Sequence, residues 1–387
     1  MRRSYQRVVA PGLDGKIRPT NSYGGPAELR STEVSATKFA LIAAGVIAGA
    51  FVISWLVFAF WRVRSEIKRR VAGKAPLRSR RAAIWRDPGP AESLDLAAGP
   101  GGRDGAPAPP FRFVEEHATG SFPCVSVRDA RGRLWRAKWG HEVHTEAFAT
   151  RFAWAAGYFA EVNYFVPSGR IEGVSTLQRA GECITEDGSF QDARFELDEP
   201  GVVKHFDEHS WAWNDNPFVG TRELNGLKIV MMLLSNWDNK DVRDVARGSN
   251  TAIFEYRMDH DVLEARYLII DWGAALGTWG NNVLSRGRWD CEAYAAQTEQ
   301  FVLGTDGDRV LWGYKGQRTA DAVGDISRSD VQWLYKYLRK LTDEQIAAGL
   351  RASGGTESEI AGFTAALRAR LDRLRVVAEM EPGGSGF

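Results

Sequence analysis

The stretch LLSNWDNKDVRD, residues 233–244, ends an apolar run at Ser235 and then sets Asn236, Asp238, Asn239, Lys240, Asp241, Arg243 and Asp244 around one tryptophan. Two readings compete for it. Asn and Asp are favoured wherever a chain turns, so NWDN followed by a solvated helix end is the plain one. Asp238, Asp241 and Asp244 fall three apart and would share a helical face, where acids near an N-terminus are favoured by the dipole. The chemical reading is that these acids handle a proton and a cation. The neighbouring segments decide between the two.

Before it, NGLKIVMMLLSN reads as a buried helix entered from the turn-like WNDNPF. After it, NTAIFEY, the polar turn RMDHD and RYLIIDWG read as a hairpin whose second strand delivers Asp271 into Asp-Trp-Gly. An acid that ends the run YLII stands at the edge of a core, where a charge is costly unless it is paired or holds a cation.

Upstream, PCVSVRD and LWRAKWG alternate apolar and polar residues around the turn ARGR, a hairpin with Lys138 on its second strand. After Gly140, Val143, Ala147, Phe148, Phe152 and Ala155 recur near helical spacing, which predicts a helix with one buried face and Glu146 in its first two turns. HEVH at 141–144 has neither the HExxH zinc spacing nor a third ligand and reads as a helix start. Taken singly, Lys138 and Glu146 read as solvated surface residues. From Ser327 the chain reads as helical to its end.

In order, the chain offers a strand Lys, a helix Glu, a buried helix ending in an acidic loop, a β-hairpin and an Asp-x-Gly. This order resembles the protein-kinase-like superfamily in its atypical, sequence-divergent members, the HipA-type and lipid kinases. NWDNKD followed by DWGAALG is also similar to a set of little-characterised bacterial proteins with Trp-Asp-x-Lys-Asp before an Asp-x-Gly. The resemblance covers residues 111–340 at the level of element order. It implies magnesium-dependent phosphoryl transfer from ATP: Lys138 would bind nucleotide phosphates, Glu146 or else Glu142 would orient it, Asp238 would accept the proton of the attacking hydroxyl, and Asp271 would hold the metal. The chain departs from the pattern in three places. It has no His-Arg-Asp triplet; Arg243 stands where a metal-binding Asn belongs, leaving Asp244 beside it as a candidate metal ligand; and Gly120 in ATGSFP is the single glycine where a Gly-rich loop would lie.

Two other function classes fit some of the same residues. Arg243 favours a catalytically inactive, pseudokinase-like scaffold that acts through partners. Abundant Trp and paired acids would suit a periplasmic carbohydrate-active protein. With 387 residues and a formal net charge of +1, the chain is long enough for a large core and has no global pull toward nucleic acid. Three widely spaced cysteines argue against a disulfide framework and a four-ligand zinc site.

At the other end, residues 39–61 read FALIAAGVIAGAFVISWLVFAFW, with Ser54 the only appreciably polar side chain. As a helix this would span the roughly 30 Å hydrocarbon layer, which predicts a transmembrane segment. The nine basic residues from Arg62 to Arg81 against one acid, Glu66, place the C-terminal side in the cytoplasm and offer a patch for anionic lipid. Gly45 and Gly49 would permit a transmembrane homodimer. Between Asp87 and Pro110 a Pro, Gly and Ala mixture reads as a tether; its GPGGRDG has no strand before it or helix after it and is not a phosphate loop.

The expected fold class is therefore α+β: a single N-terminal transmembrane helix, a linker, and a two-lobed kinase-like domain with a helical C-terminal region. The expected boundaries are a polar segment 1–38, the membrane helix 39–61, a basic juxtamembrane segment and linker 62–110, a β-rich small lobe 111–200, and a helical large lobe 201–387.

Overall fold

The computed structural model describes residues 80–174, 176–199, 201–206, 210–238, 250–258, 262–317 and 322–381. The chain divides into two units, Met1–Gly73 and Lys74–Phe387, and every described residue belongs to the second. In chain order its strands are β1 (Arg80–Ala83), β2 (Phe111–Glu116), β3 (Cys124–Arg128), β4 (Leu134–Lys138), β5 (Asn163–Glu172), β6 (Ser189–Asp198), β7 (Val203–His205), β8 (Thr251–Arg257), β9 (Leu263–Ile269), β10 (Val302–Asp306) and β11 (Arg309–Trp312). The helices are α1 (Val143–Ala155), α2 (Arg222–Leu233), α3 (Cys291–Ala296), α4 (Thr298–Phe301), α5 (Arg328–Leu338), α6 (Asp343–Arg351) and α7 (Glu357–Glu379).

Strands β2, β3, β4, β6 and β5 close into a barrel, sealed by a short parallel pairing of Phe111 with Ile171 and Arg112 with Glu172. Alternation explains its filling. On β4, Trp135 and Ala137 turn inward while Leu134, Arg136 and Lys138 do not. Phe111, Phe190 and Phe195 join Trp135 in an aromatic core, with Phe111 and Phe195 ring centroids 4.7 Å apart. Strand β6 is buried on both faces: Ala193 and Phe195 belong to the barrel core, and Arg194 and Glu196 point the other way.

A second sheet has the order β1-β9-β8-β7, with β1 parallel to β9 and the other pairs antiparallel. The hairpin read from NTAIFEY and RYLIIDWG is there as β8 and β9, with Thr251 opposite Ile269. Helix α2 begins at a Thr221 cap and buries every residue from Leu224 to Leu233. Helix α1 is likewise buried nearly all round, because strands β5 and β6 lie on one side and α6 on another. The last three helices each start with a capping box: Ser327 with Asp330, Thr342 with Gln345, Thr356 with Glu359.

Two expectations need correction. The described residues form a mixed α/β domain, and no helix among them is long and apolar enough to cross a membrane. The α+β class with an N-terminal transmembrane helix and the single-pass membrane placement are both overturned on that finding. The stretch read for them, 39–61, lies outside the described residues.

The 87–110 stretch also differs from a tether. It buries Leu94, Leu96 and Ala98, and Gln345 Nε2 donates to the carbonyls of Ala91 and Leu94 at 2.7 and 2.9 Å. Few bulky residues suffice here because they dock on a core that the rest of the chain supplies.

Candidate active site

The barrel presents one polar face built from β4 and β6. In their antiparallel register Lys138 lies opposite Arg194, two cations directly across from one another. Such a pair is unfavourable unless an acid lies between them. Glu196 supplies it, with Oε2 2.7 Å from Lys138 Nζ and 3.4 Å from Arg194 Nη2. Glu196 is held at about 2, well below the carboxylate range: burial would raise it, and Lys138 and Arg194 outweigh that. Lys138 is raised in turn, Glu196 overcoming the opposite effect of burial.

Glu146, expected to hold Lys138, does something else. Its Oε2 lies 3.4 Å from Arg194 Nη1, and its Oε1 accepts from the Trp272 amide at 3.0 Å. The α1 acid thus ties the barrel to the Asp-Trp-Gly turn, and the lysine is served from within the barrel. Burial lifts the Glu146 carboxyl well above its usual range; Arg194 opposes the shift and Asp271 adds to it. Neither Glu146 Oε2 nor Arg194 Nη1 has a hydrogen-bond partner, although both are buried.

Glu142, just before α1, pairs with Arg288. Its carboxyl lies over Gly273, where an added Cβ would come within 2.5 Å of Cδ. Burial and then Asp271 raise its pKa. A side chain at the glycine of Asp-Trp-Gly would therefore displace the Glu142 carboxyl.

Asp271 is half-buried, with Oδ1 accepting from the Gly273 amide at 3.0 Å. Lys138, Glu142, Glu146, Arg194, Asn250 and Asp271 all line one cleft of about 600 Å³. The structure thus brings Lys138, Glu146 and Asp271 together.

Asp238 does not line that cleft. Its Oδ1 accepts from Gln317 Nε2 at 2.6 Å, and its carbonyl accepts from Asn250, which does line the cleft. Asp244 and its neighbours from Asn239 to Ser249 lie outside the described residues. Among the described residues, no group of three or more His, Cys, Asp or Glu side chains is arranged to hold a metal.

Three functional candidates escaped the sequence reading. Arg194 and Glu196 look like ordinary alternation on a strand, and only the β4–β6 register shows them beside Lys138. Asn236 looked like turn chemistry; it is fully buried, and its Nδ2 donates to the Asp271 carbonyl at 3.0 Å. That bond joins the opening stretch to the Asp-Trp-Gly turn.

No family model and no curated protein matches the chain. Among solved structures the chain is similar to one described as "Crystal structure of the golgi casein kinase", at 9% identity and a TM-score of 0.27, covering 71% of this chain and 75% of that one. A likeness this weak carries no argument.

Proposed function

We propose that the cleft binds Mg-ATP and that the protein transfers its terminal phosphoryl group to a hydroxyl acceptor. One observation carries the reading: a lysine held by its own barrel and an aspartate on a tight turn, Lys138 and Asp271, line the same cleft. A fixed ammonium neutralises phosphate oxygens, and the Arg194 guanidinium adds a second cation beside it.

The donor set suits magnesium. Oxygen ligands are what a hard cation takes, and magnesium needs only one or two carboxylates when phosphates supply the rest. Asp271 would hold it, and Glu142 and Glu146 are the other carboxylates that line the cleft. When bound, the ion offsets the charge of the phosphates. Asp238 takes the proton of the acceptor hydroxyl as that oxygen bonds to the terminal phosphorus and the bond to the bridging oxygen breaks. Trp237 and Asn236 keep Asp238 near the turn, through Trp237 N to the Ala274 carbonyl at 3.4 Å and Asn236 Nδ2 to the Asp271 carbonyl.

Transfer of labelled terminal phosphate from ATP to the protein itself, water or a panel of hydroxyl acceptors tests this. Asp238→Asn should abolish transfer and keep nucleotide binding; full transfer by that variant would remove Asp238 from the chemistry. A second reading, a nucleotide-binding scaffold without turnover, is favoured by Asp238 lying off the cleft with its Oδ1 taken by Gln317. Binding without transfer to any acceptor would select it.

A further inference from the structure

Arg370, in the middle of α7, is 0% exposed and makes no ion pair among the described residues. A buried guanidinium without an acid is costly, and an apolar side chain of similar size would often be more stable in its place. Burial pulls its pKa down to about 10.

Its bonds show what offsets the cost. Nη1 donates to the Leu233 carbonyl at 2.9 Å and to Ser235 Oγ at 2.7 Å, and Nη2 donates to the Tyr294 carbonyl at 2.7 Å. Leu233 is the last residue of α2, so the cation sits at the negative end of a helix dipole. The Tyr294 ring lies 3.7 Å from the guanidinium carbon and the Trp279 ring 4.8 Å. Tyr294 OH donates to the same Leu233 carbonyl at 2.7 Å.

The bonds converge on the exit of α2. Ser235 has φ 58, a left-handed backbone that a non-glycine residue holds only when its surroundings impose it. Asn236, which reaches Asp271, is the next residue, and Asp238 follows two later.

We propose that Arg370 is a positioning residue: by fixing where α2 ends and how Ser235 turns, it sets Asn236 against the Asp271 carbonyl and fixes where the chain carries Asp238, without touching either acid. The assignment to catalysis rests on the phosphoryl-transfer reading; the assignment to loop geometry does not.

The test uses the full chain with Arg370→Met, which keeps the length and removes every donor, and Arg370→Lys, which keeps the cation. Hydrogen exchange at the amides of Asn236 and Trp237 should rise in Arg370→Met by about tenfold or more relative to the amides inside α2, and Arg370→Lys should fall between it and wild type. In turnover, Arg370→Met should lose about a hundredfold in kcat while its Mg-ATP affinity stays within about threefold. Should Arg370→Met fail to fold, Ser235→Ala removes the hydroxyl anchor alone and should move both readouts the same way, less far. Unchanged exchange at residues 236 and 237 would overturn the proposal. Raised exchange in a protein that neither binds nor turns over Mg-ATP would keep the positioning and sink the phosphoryl-transfer reading instead.

Discussion

Lys138 and Glu196 stand 2.7 Å apart on neighbouring strands of one closed barrel, so the cleft's lysine is oriented without help from a helix. Glu196→Gln should therefore weaken ATP binding by at least about tenfold, roughly 1.4 kcal/mol. Glu146→Gln should leave ATP affinity near wild type and loosen the Trp272 turn. Isothermal titration of both variants checks this; a larger loss from Glu146→Gln would restore the helix acid as the lysine's partner.

Glu161 predicts a pH dependence. Burial and then Glu196 push its pKa up to about 7 against the pull of Lys204, 3.7 Å away. Its folded pKa lies above the unfolded value, so its contribution to stability is complete below about 4.3 and is lost as pH rises through about 7. The slope is at most about 1.4 kcal/mol per pH unit. Denaturant melts across pH 5–8 should show this decline in wild type and a flatter curve in Glu161→Gln. An identical slope in the two would mean Glu161 is ionised throughout.

Gly273→Ala should push the Glu142 carboxyl off its place and break its pair with Arg288, because the new Cβ would meet Cδ within 2.5 Å. Glu142 has room to swing, so the cost should be about 1 kcal/mol, the low end for overpacking. In Glu142→Ala/Gly273→Ala the two costs should fail to add. Simple additivity in thermal melts would show that the glycine is needed for some other reason.

Part of the element order was legible, where an element has its own local signal. Alternation marked β3, β4 and the β8–β9 hairpin, an apolar run marked α2, and an acid after YLII marked Asp271 as a residue needing a partner. Partners across the barrel were not legible. Nothing in RFELD says that Arg194 and Glu196 face Lys138, since that depends on the β4–β6 register, which no local pattern encodes. Composition misread residues 87–110 for a similar reason: it counts what a segment can bury by itself, while Leu94 and Leu96 bury against residues far along the chain. Arg370 was invisible because a helix arginine reads as solvated until the helix is known to be packed on several sides.

Asp271→Ala should abolish the thermal shift given by magnesium and ATP, while Asp238→Asn should keep it, because the first removes the cation's carboxylate and the second only the proton acceptor.

The central claim, that the cleft of Lys138 and Asp271 holds Mg-ATP, is tested most directly by the melting temperature of the wild-type chain with and without magnesium and millimolar ATP. A ligand at about a hundred times its dissociation constant stabilises the native state by roughly 2.7 kcal/mol, a rise well within calorimetric reach. The account predicts that rise in wild type; an unchanged melting temperature at millimolar nucleotide would contradict it.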